Sequence, residues 1–306
     1  MSKTRTVANQ LKARVMEMDR KDRPVLVTGA TGSTGRAVLE ALAGRGAPVR
    51  AMVRRGTNPG TLPAGTEVAV ADFNDDGSVA AALEGAGGAY LVTPSSERAS
   101  QQQRRFADLT VQAGVGRLVV LSQLAARKDS PVRFLRYHAE VEDYVRGLGI
   151  DYTFLRPNLF FQGLLAFAGP VSAQGRFSAP IGDARVSAID VRDIAAVAAV
   201  TLTGAGHEGA TYTLTGPAAV SHHEIAGALT AALGRPVAFA DVTPEAFADS
   251  LRGILPPWQI DGLLEDYAHY RRGEAAAVTT TVTDLTGTPP RDIGQFARDY
   301  ATAFGG

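Results

Sequence analysis

Residues 25–42 read VLVTGATGSTGRAVLEAL, and few arrangements accommodate that order of residue types. Val25, Leu26 and Val27 are an apolar, β-branched-rich run of the kind that makes a buried parallel strand. Gly29, Gly32 and Gly35 follow at three-residue spacing. Residues 36–42 then read as a helix, with Val38, Leu39 and Leu42 on one face and Gly44 as its stop. Strand, glycine turn and helix in that order build a phosphate cradle. Glycine lets the backbone turn tightly and approach a pyrophosphate, while the free N–H groups and positive dipole end of the helix face the anion. The same residues also suit an ordinary tight turn between a strand and a helix. Their place at the first strand of the domain favours dinucleotide binding, with Thr31, Ser33, Thr34 and Arg36 joining the three glycines as cofactor contacts.

The spacing is G-x-x-G-x-x-G rather than the G-x-G-x-x-G of the commonest dehydrogenases. GATGSTG resembles the extended and atypical short-chain dehydrogenase/reductases, and within them the NmrA-like group, which includes NADPH-dependent quinone reductases and redox-sensing regulators. The resemblance runs over nearly the whole chain from about Pro24; the glycine loop carries it most specifically, and the tail TDLTGTPPRDIGQFARDYATAF adds to it more weakly. It implies an α/β fold with a doubly wound parallel sheet of the Rossmann type and a smaller mixed α/β substrate lobe.

Composition narrows the function classes. At 306 residues and 45% hydrophobic content, the chain can bury a substantial core. Thirty-one basic residues balance 31 acidic ones, so there is no electrostatic case for nucleic acid or an anionic membrane. The absence of cysteine excludes disulfides, thiol catalysis and thiolate metal sites. No apolar run is long enough to span a bilayer and no signal-peptide pattern opens the chain, so a cytoplasmic location is expected. The many Ala, Gly and Arg residues suggest a bacterial source.

Taken in order, residues 1–22 precede the nucleotide domain, with Val7, Leu11 and Val15 at four-residue spacing. They could form an amphipathic helix that packs on a second copy, giving a homodimer; the reading favoured here is a frayed tail, or a start at Met18. Residues 48–56 should hold the second strand. An acidic residue at its end would bind the ribose 2′-hydroxyl of NADH, but here the end is Val53-Arg54-Arg55. Arg54, with Arg36 nearby, suits the 2′-phosphate of NADP(H). Residues 66–73 are the third strand, and the resemblance places Asp72 and Phe73 against the adenine. Asp75 or Asp76 caps the following helix. Residues 87–94 are the fourth strand, its end at Thr93 facing the ribose and pyrophosphate. A helix over about 97–113, a fifth strand ending near Ser122, a helix over 134–148 and a sixth strand over 151–158 follow. The resemblance carries Pro157 and Asn158 over the nicotinamide. Residues 159–167, including Phe160 and Phe161, supply apolar surface for a substrate. A short strand and helix over 187–202 and a strand over 211–217 close the nucleotide half. Beyond them, Ser221 and Glu224 form a capping box, 236–244 hold a strand, and Pro244 opens a helix at its first position. The domain reading is therefore 23–158, completed by 184–217, for the NADP-binding domain, and 159–183 with 218–306 for the substrate lobe.

Short-chain dehydrogenases use Tyr-x-x-x-Lys on the helix after the fifth strand, with a serine on that strand to orient the carbonyl. Here the helix reads Phe134-Leu135-Arg136-Tyr137-His138. With His138 in the lysine's place, the tyrosine's place is Phe134, which cannot transfer a proton. Tyr137 lies almost one turn away on the same face, and the residue four beyond it is Val141. Tyr137, His138 and Ser122 are therefore the catalytic candidates. His138 is equally readable as a ribose contact or as a cap on Glu142. Phe134, Phe160, Phe161, Trp258 and Tyr267 are candidates for holding a flat or aromatic small molecule; Trp258, Tyr267 and Tyr270 also suit a lobe core. His222 and His223 diverge on a helix, read as surface, and no metal is expected. The function expected is an NADPH-dependent reductase of a quinone, enone or related carbonyl. The alternatives are an NADP-binding redox sensor without turnover and a repurposed non-redox biosynthetic enzyme.

Overall fold

The computed structural model describes residues 22–58, 60 and 62–306, so the N-terminal amphipathic pattern lies outside the described residues. The apolar runs pair into one parallel sheet: β1 (Val25–Val27), β2 (Val49–Val53), β3 (Glu67–Val70), β4 (Gly88–Leu91), β5 (Arg117–Leu121), β6 (Asp151–Pro157) and β8 (Ala210–Leu214), in the order β3-β2-β1-β4-β5-β6-β8. Val25 lies opposite Val49 on one side and Gly88 on the other, so the strand order reverses at β1. Ligands of open parallel sheets bind at such a reversal, beyond the carboxyl ends of the strands.

Alternation along the strands sends side chains to two layers. Val25 and Val27 face a core shared with α1 (Ser33–Gly44) and α6 (Val191–Thr203), through Val38, Leu39, Leu42, Ile194 and Val197. Leu26 faces the other core, with Leu83 of α2 (Asp76–Leu83), Phe106 of α3 (Ala99–Gln112) and Val141 and Val145 of α4 (Arg133–Arg146). Asp75 is the N-cap of α2 and accepts from the Gly77 and Ser78 amides. The glycine signals shift α1: it begins at Ser33 rather than at residue 36 and runs through Gly44 to an Arg45 cap, followed by Gly46 at φ +73°. Gly44 thus lies inside the helix. The short strand expected before α6 is only a bridge between Phe160 and Ile189.

The second lobe pairs β7 (Arg176–Ala179) with β9 (Ala238–Asp241) and packs α5 (Ala168–Gln174), α7 (His222–Leu233), α8 (Pro244–Leu251), α9 (Pro257–Arg271) and α11 (Ile293–Asp299) around Phe161, Phe177, Phe239, Phe247, Tyr267 and Phe296. The Ser221–Glu224 capping box opens α7, and Pro244 follows its Thr243 cap. The 218–306 boundary is crossed by α10 (Thr281–Thr286), whose Val282 joins the nucleotide-domain core.

His222 corrects the surface reading of the histidine pair. Its neighbour His223 is exposed, but His222 is buried between Phe177 and Phe239, and neither ring nitrogen has a hydrogen-bond partner. Burial, with the His223 charge adding to it, pulls its pKa down to about 4. The fold therefore holds His222 neutral, while the unfolded chain takes up a proton below about pH 6.5. Stability is complete above that pH and is lost as pH falls toward 4, by at most about 3 kcal/mol for this group. His222→Phe is expected to flatten part of the fall in melting temperature between pH 7 and pH 4.5; an unchanged fall would show that His222 does not drive it.

Candidate cofactor groove and substrate cleft

The glycine loop is built by close approach at two of its three glycines. Gly29 sits at φ +60°, and a Cβ there would lie 2.7 Å from the Val92 side chain. A Cβ on Gly35 would lie 2.2 Å from the Gly29 carbonyl oxygen. Gly32 is different, because its Cβ would meet only the Gly29 oxygen, at 3.3 Å, and would otherwise face open space. It is also the N-cap of α1, and it offers no side chain to the first-turn amides, so those of Ser33 and Thr34 are left facing outward. Thr28 locks the loop to β4. Its hydroxyl donates toward the Tyr90 and Val92 carbonyls and accepts from the Val92 amide at 2.8 Å.

The loop forms one wall of a groove of about 450 Å³ lined by Gly29, Thr31, Gly32, Ser33, Thr34, Arg54, Asp72, Phe73 and Thr93, together with Asn74 and Gln102. A bare helix N-terminus above a cradle that a Cβ would fill, with an exposed arginine at the end of β2, is the donor set that a phosphorylated dinucleotide requires. The Asp72 carboxylate accepts from the Asn74 amide and side chain, both at 2.8 Å, which fixes the turn. Phe73 is held edge-on to Phe106 at 5.8 Å. Arg36 leans toward the neighbouring loop at Gly60 and does not line the groove.

A second cavity of about 310 Å³ continues from the groove and shares Thr34, Val92 and Thr93 with it. Its walls bring together Ser122, Phe134, Tyr137, His138, Pro157, Asn158 and Phe160 with Gln123, Leu263, Asp266 and Tyr270. Phe161 and Tyr267 do not reach it: both are buried in the lobe core, Phe161 against Phe296 and Tyr267 against Phe247. Trp258 stands behind the wall, 5.3 Å from the Phe134 ring.

The polar candidates are more constrained than their sequence positions suggest. Ser122 donates to Glu142 at 2.6 Å, and Glu142 is buried with Arg156 and Arg146 as ion-pair partners. The serine hydroxyl is therefore engaged away from a carbonyl, and Glu142 pairs with these groups instead of with His138. The Asn158 amide donates to Ser187 and to the Ala275 carbonyl, so its side chain ties the strand end to the lobe. His138 is buried with Nδ1 unpartnered; burial, with Arg156 adding to it, pulls its pKa down to about 3, which keeps the ring neutral near pH 7. Burial pushes the Tyr137 phenol up to about 12, its hydroxyl lying 3.3 Å from Ser95 Oγ.

The roof of the cleft is α9, held by side chains of α4. Arg133 makes a fork with Glu265 at 2.8–3.1 Å and lies over Trp258. Gly262 costs helix stability in mid-helix, but an added Cβ would lie 2.3 Å from the Phe134 ring. One residue beyond Glu265, Asp266 reaches the cleft and accepts from Gln123 at 3.2 and 3.3 Å. Sequence reasoning missed both. The available signal was a carboxylate inside an apolar stripe, between Leu263 and Tyr270 at spacings of three and four. Among the described residues no cluster of three potential metal ligands occurs, and no helix is long and apolar enough to cross a membrane.

The chain is 37% identical over 283 residues to the NAD(P)H azoreductase of Xenophilus azovorans, covering 92% of this chain and 99% of that one. It is 36% identical over 281 residues to the (4-alkanoyl-5-oxo-2,5-dihydrofuran-3-yl)methyl phosphate reductase of Streptomyces griseus, with the same coverage. The NADPH complex of an NADPH-dependent quinone oxidoreductase from Escherichia coli superposes with a TM-score of 0.79 at 29% identity, over 90% of this chain and 99% of that one. The model of the NmrA-like family matches residues 21–276, and the chain belongs to that family.

Proposed function

We propose that this protein is an NADPH-dependent reductase of flat, uncharged acceptors of the quinone, enone or azo type. The observation that carries the reading is the junction of the two cavities: a phosphate-accepting groove opens at Thr34, Val92 and Thr93 into a cleft walled by Phe134, Tyr137, Phe160 and Tyr270. Among the described residues the cleft lining contains no Lys or Arg, which favours an uncharged substrate. The named activities of the azoreductase and the quinone oxidoreductase support the same reaction class, and the Streptomyces reductase supports reduction of an enone-type acceptor although its named substrate carries a phosphate. When bound, the cofactor supplies a hydride. The chain's own residues do the remainder: Ser33 and Thr34 amides hold the pyrophosphate, Arg54 holds the 2′-phosphate, and the aromatic walls orient the acceptor and exclude water. The Tyr-x-x-x-Lys pair is replaced by Phe134 and His138, so a simple ketone, which needs strong acid assistance, is a poor substrate. The test is NADPH oxidation against a panel of quinones, enones and azo dyes beside simple ketones. Activity confined to ketones would overturn the assignment.

The cofactor preference has its own test. Each charge-assisted contact of Arg54 to the 2′-phosphate contributes about 1.5–3 kcal/mol. Arg54→Ala should therefore weaken NADPH binding by roughly ten- to hundred-fold and leave NADH nearly unchanged, as read by calorimetry. Equal losses for both would show that Arg54 does not read the phosphate.

A further inference from the structure

The reductase reading leaves the proton unassigned. Hydride addition to an enone or quinone places a negative charge on oxygen, and addition to an azo group places it on nitrogen. Ser122 is engaged by Glu142, and His138 is neutral at physiological pH. Tyr137 is a weaker acid than ordinary tyrosine. Asp266 remains. Its carboxyl is buried at the roof of the cleft, and among the described residues its hydrogen-bond partner is the Gln123 side chain, at a long 3.2 and 3.3 Å. Among the described residues no Lys or Arg lines the cleft beside it; Arg133 is held by Glu265. Resting on the proposed reductase function, we propose that Asp266 donates the proton taken up by the reduced substrate in this cleft, and that Gln123 positions its carboxyl. In the balanced step, the substrate carbon or nitrogen gains a C–H or N–H bond from the hydride of the reduced nicotinamide. The displaced π electrons form an O–H or N–H bond with the Asp266 proton as the carboxyl O–H breaks. The nicotinamide is left oxidised, and the Asp266 carboxylate regains its proton from water.

The surroundings fit this task. Tyr137 of α4 feels the Asp266 charge, and His138 lines the same cleft; Gln123 reaches Asp266 from the end of β5, and Glu265, Tyr267 and Tyr270 lie near it on its own helix. Burial, with the Glu265 charge adding to it, raises the carboxyl to about 7, while donation from Gln123 lowers it. An acid poised near the working pH is the efficient one.

The test compares the parent, Asp266→Asn and Gln123→Leu on a good enone acceptor. The parent's kcat should fall as pH rises through about 7. Asp266→Asn should lose roughly 10²-fold or more at pH 6, with no inflection in the neutral range, while binding NADPH like the parent in calorimetry. Gln123→Leu should shift the inflection to higher pH, a change that mere misfolding would not give. Melting supplies a readout without turnover. The folded carboxyl titrates above its unfolded value, so the contribution of Asp266 to stability is lost as pH rises from about 4 to about 7, opposite in sign to that of His222, and the difference between parent and Asp266→Asn isolates it. The variant should melt higher than the parent at pH 8, with the gap closing toward pH 4. An Asp266→Asn enzyme that keeps the parent's kcat and inflection would overturn the proposal and leave the reductase reading standing. A parent that reduces no acceptor would overturn both.

Discussion

Gly35→Ala is expected to destabilise the protein by about 3 kcal/mol or more and to abolish dinucleotide binding, because overpacking against fixed backbone has no side chain to displace. The added Cβ would lie 2.2 Å from the Gly29 oxygen, 2.5 Å from the Gly29 carbonyl carbon and 2.8 Å from the Thr28 oxygen. Thr28 cannot yield, since its hydroxyl is held by both the Tyr90 and Val92 backbones. Helix α1 would have to lift from β1, withdrawing the Ser33 and Thr34 amides from the groove. Gly32→Val separates the two consequences. Its Cβ would meet one oxygen at 3.3 Å, so the variant should fold, with a melting temperature near the parent's, and still lose NADPH where its side chain enters the groove. A stable Gly35→Ala protein with parental affinity would show that the loop is not the close-packed cradle described.

Glu142→Gln is expected to cost about 3 kcal/mol, lowering the melting temperature by roughly 5–10 °C. Glu142 is fully buried and receives Ser122 at 2.6 Å, Arg156 at 2.6 and 2.8 Å and Arg146 at 2.9 Å. Removing the charge leaves the Arg156 guanidinium, 24% exposed, without its counter-ion beside the cleft. The partial exposure of Arg156 keeps the cost at the lower end for a broken buried pair. A second change tests the cause: Arg156→Leu in the Glu142→Gln background should recover part of the loss, because the stranded charge is then gone. Equal melting of parent and Glu142→Gln would mean that the cluster contributes nothing net.

The nucleotide half was readable because its signals are local. Val25–Val27, the three glycines and the Val38–Leu42 face lie within 18 residues, and each apolar strand run ends in a turn signal. The Ser221–Glu224 capping box and the Pro244 helix start were readable for the same reason, since a cap acts within one turn, and Asp75 was readable as one of two candidates. The cleft depends on contacts between distant segments. Ser122 looked available until Glu142, 20 residues away, was placed beside it by β5 and α4. Asp266 meets Gln123 across 143 residues, and Phe134 meets Gly262 across the two lobes. His222 reads as surface in the sequence because adjacent histidines diverge on a helix and make a poor metal pair; that divergence puts His222 under the lobe and leaves only His223 outside. Phe161 and Tyr267 carried the right chemistry for a substrate wall, but the packing of the lobe turned them inward.

The most direct test is single-turnover oxidation of bound NADPH on adding a quinone, enone or azo acceptor, followed at the nicotinamide absorbance with NADH in a parallel arm. An NADPH-dependent reductase of this kind gives rapid, stoichiometric loss of NADPH absorbance with these acceptors, tighter binding of NADPH than of NADH, and little loss with simple ketones. Tight NADPH binding whose absorbance persists with every acceptor would contradict it and leave a cofactor-binding protein without turnover.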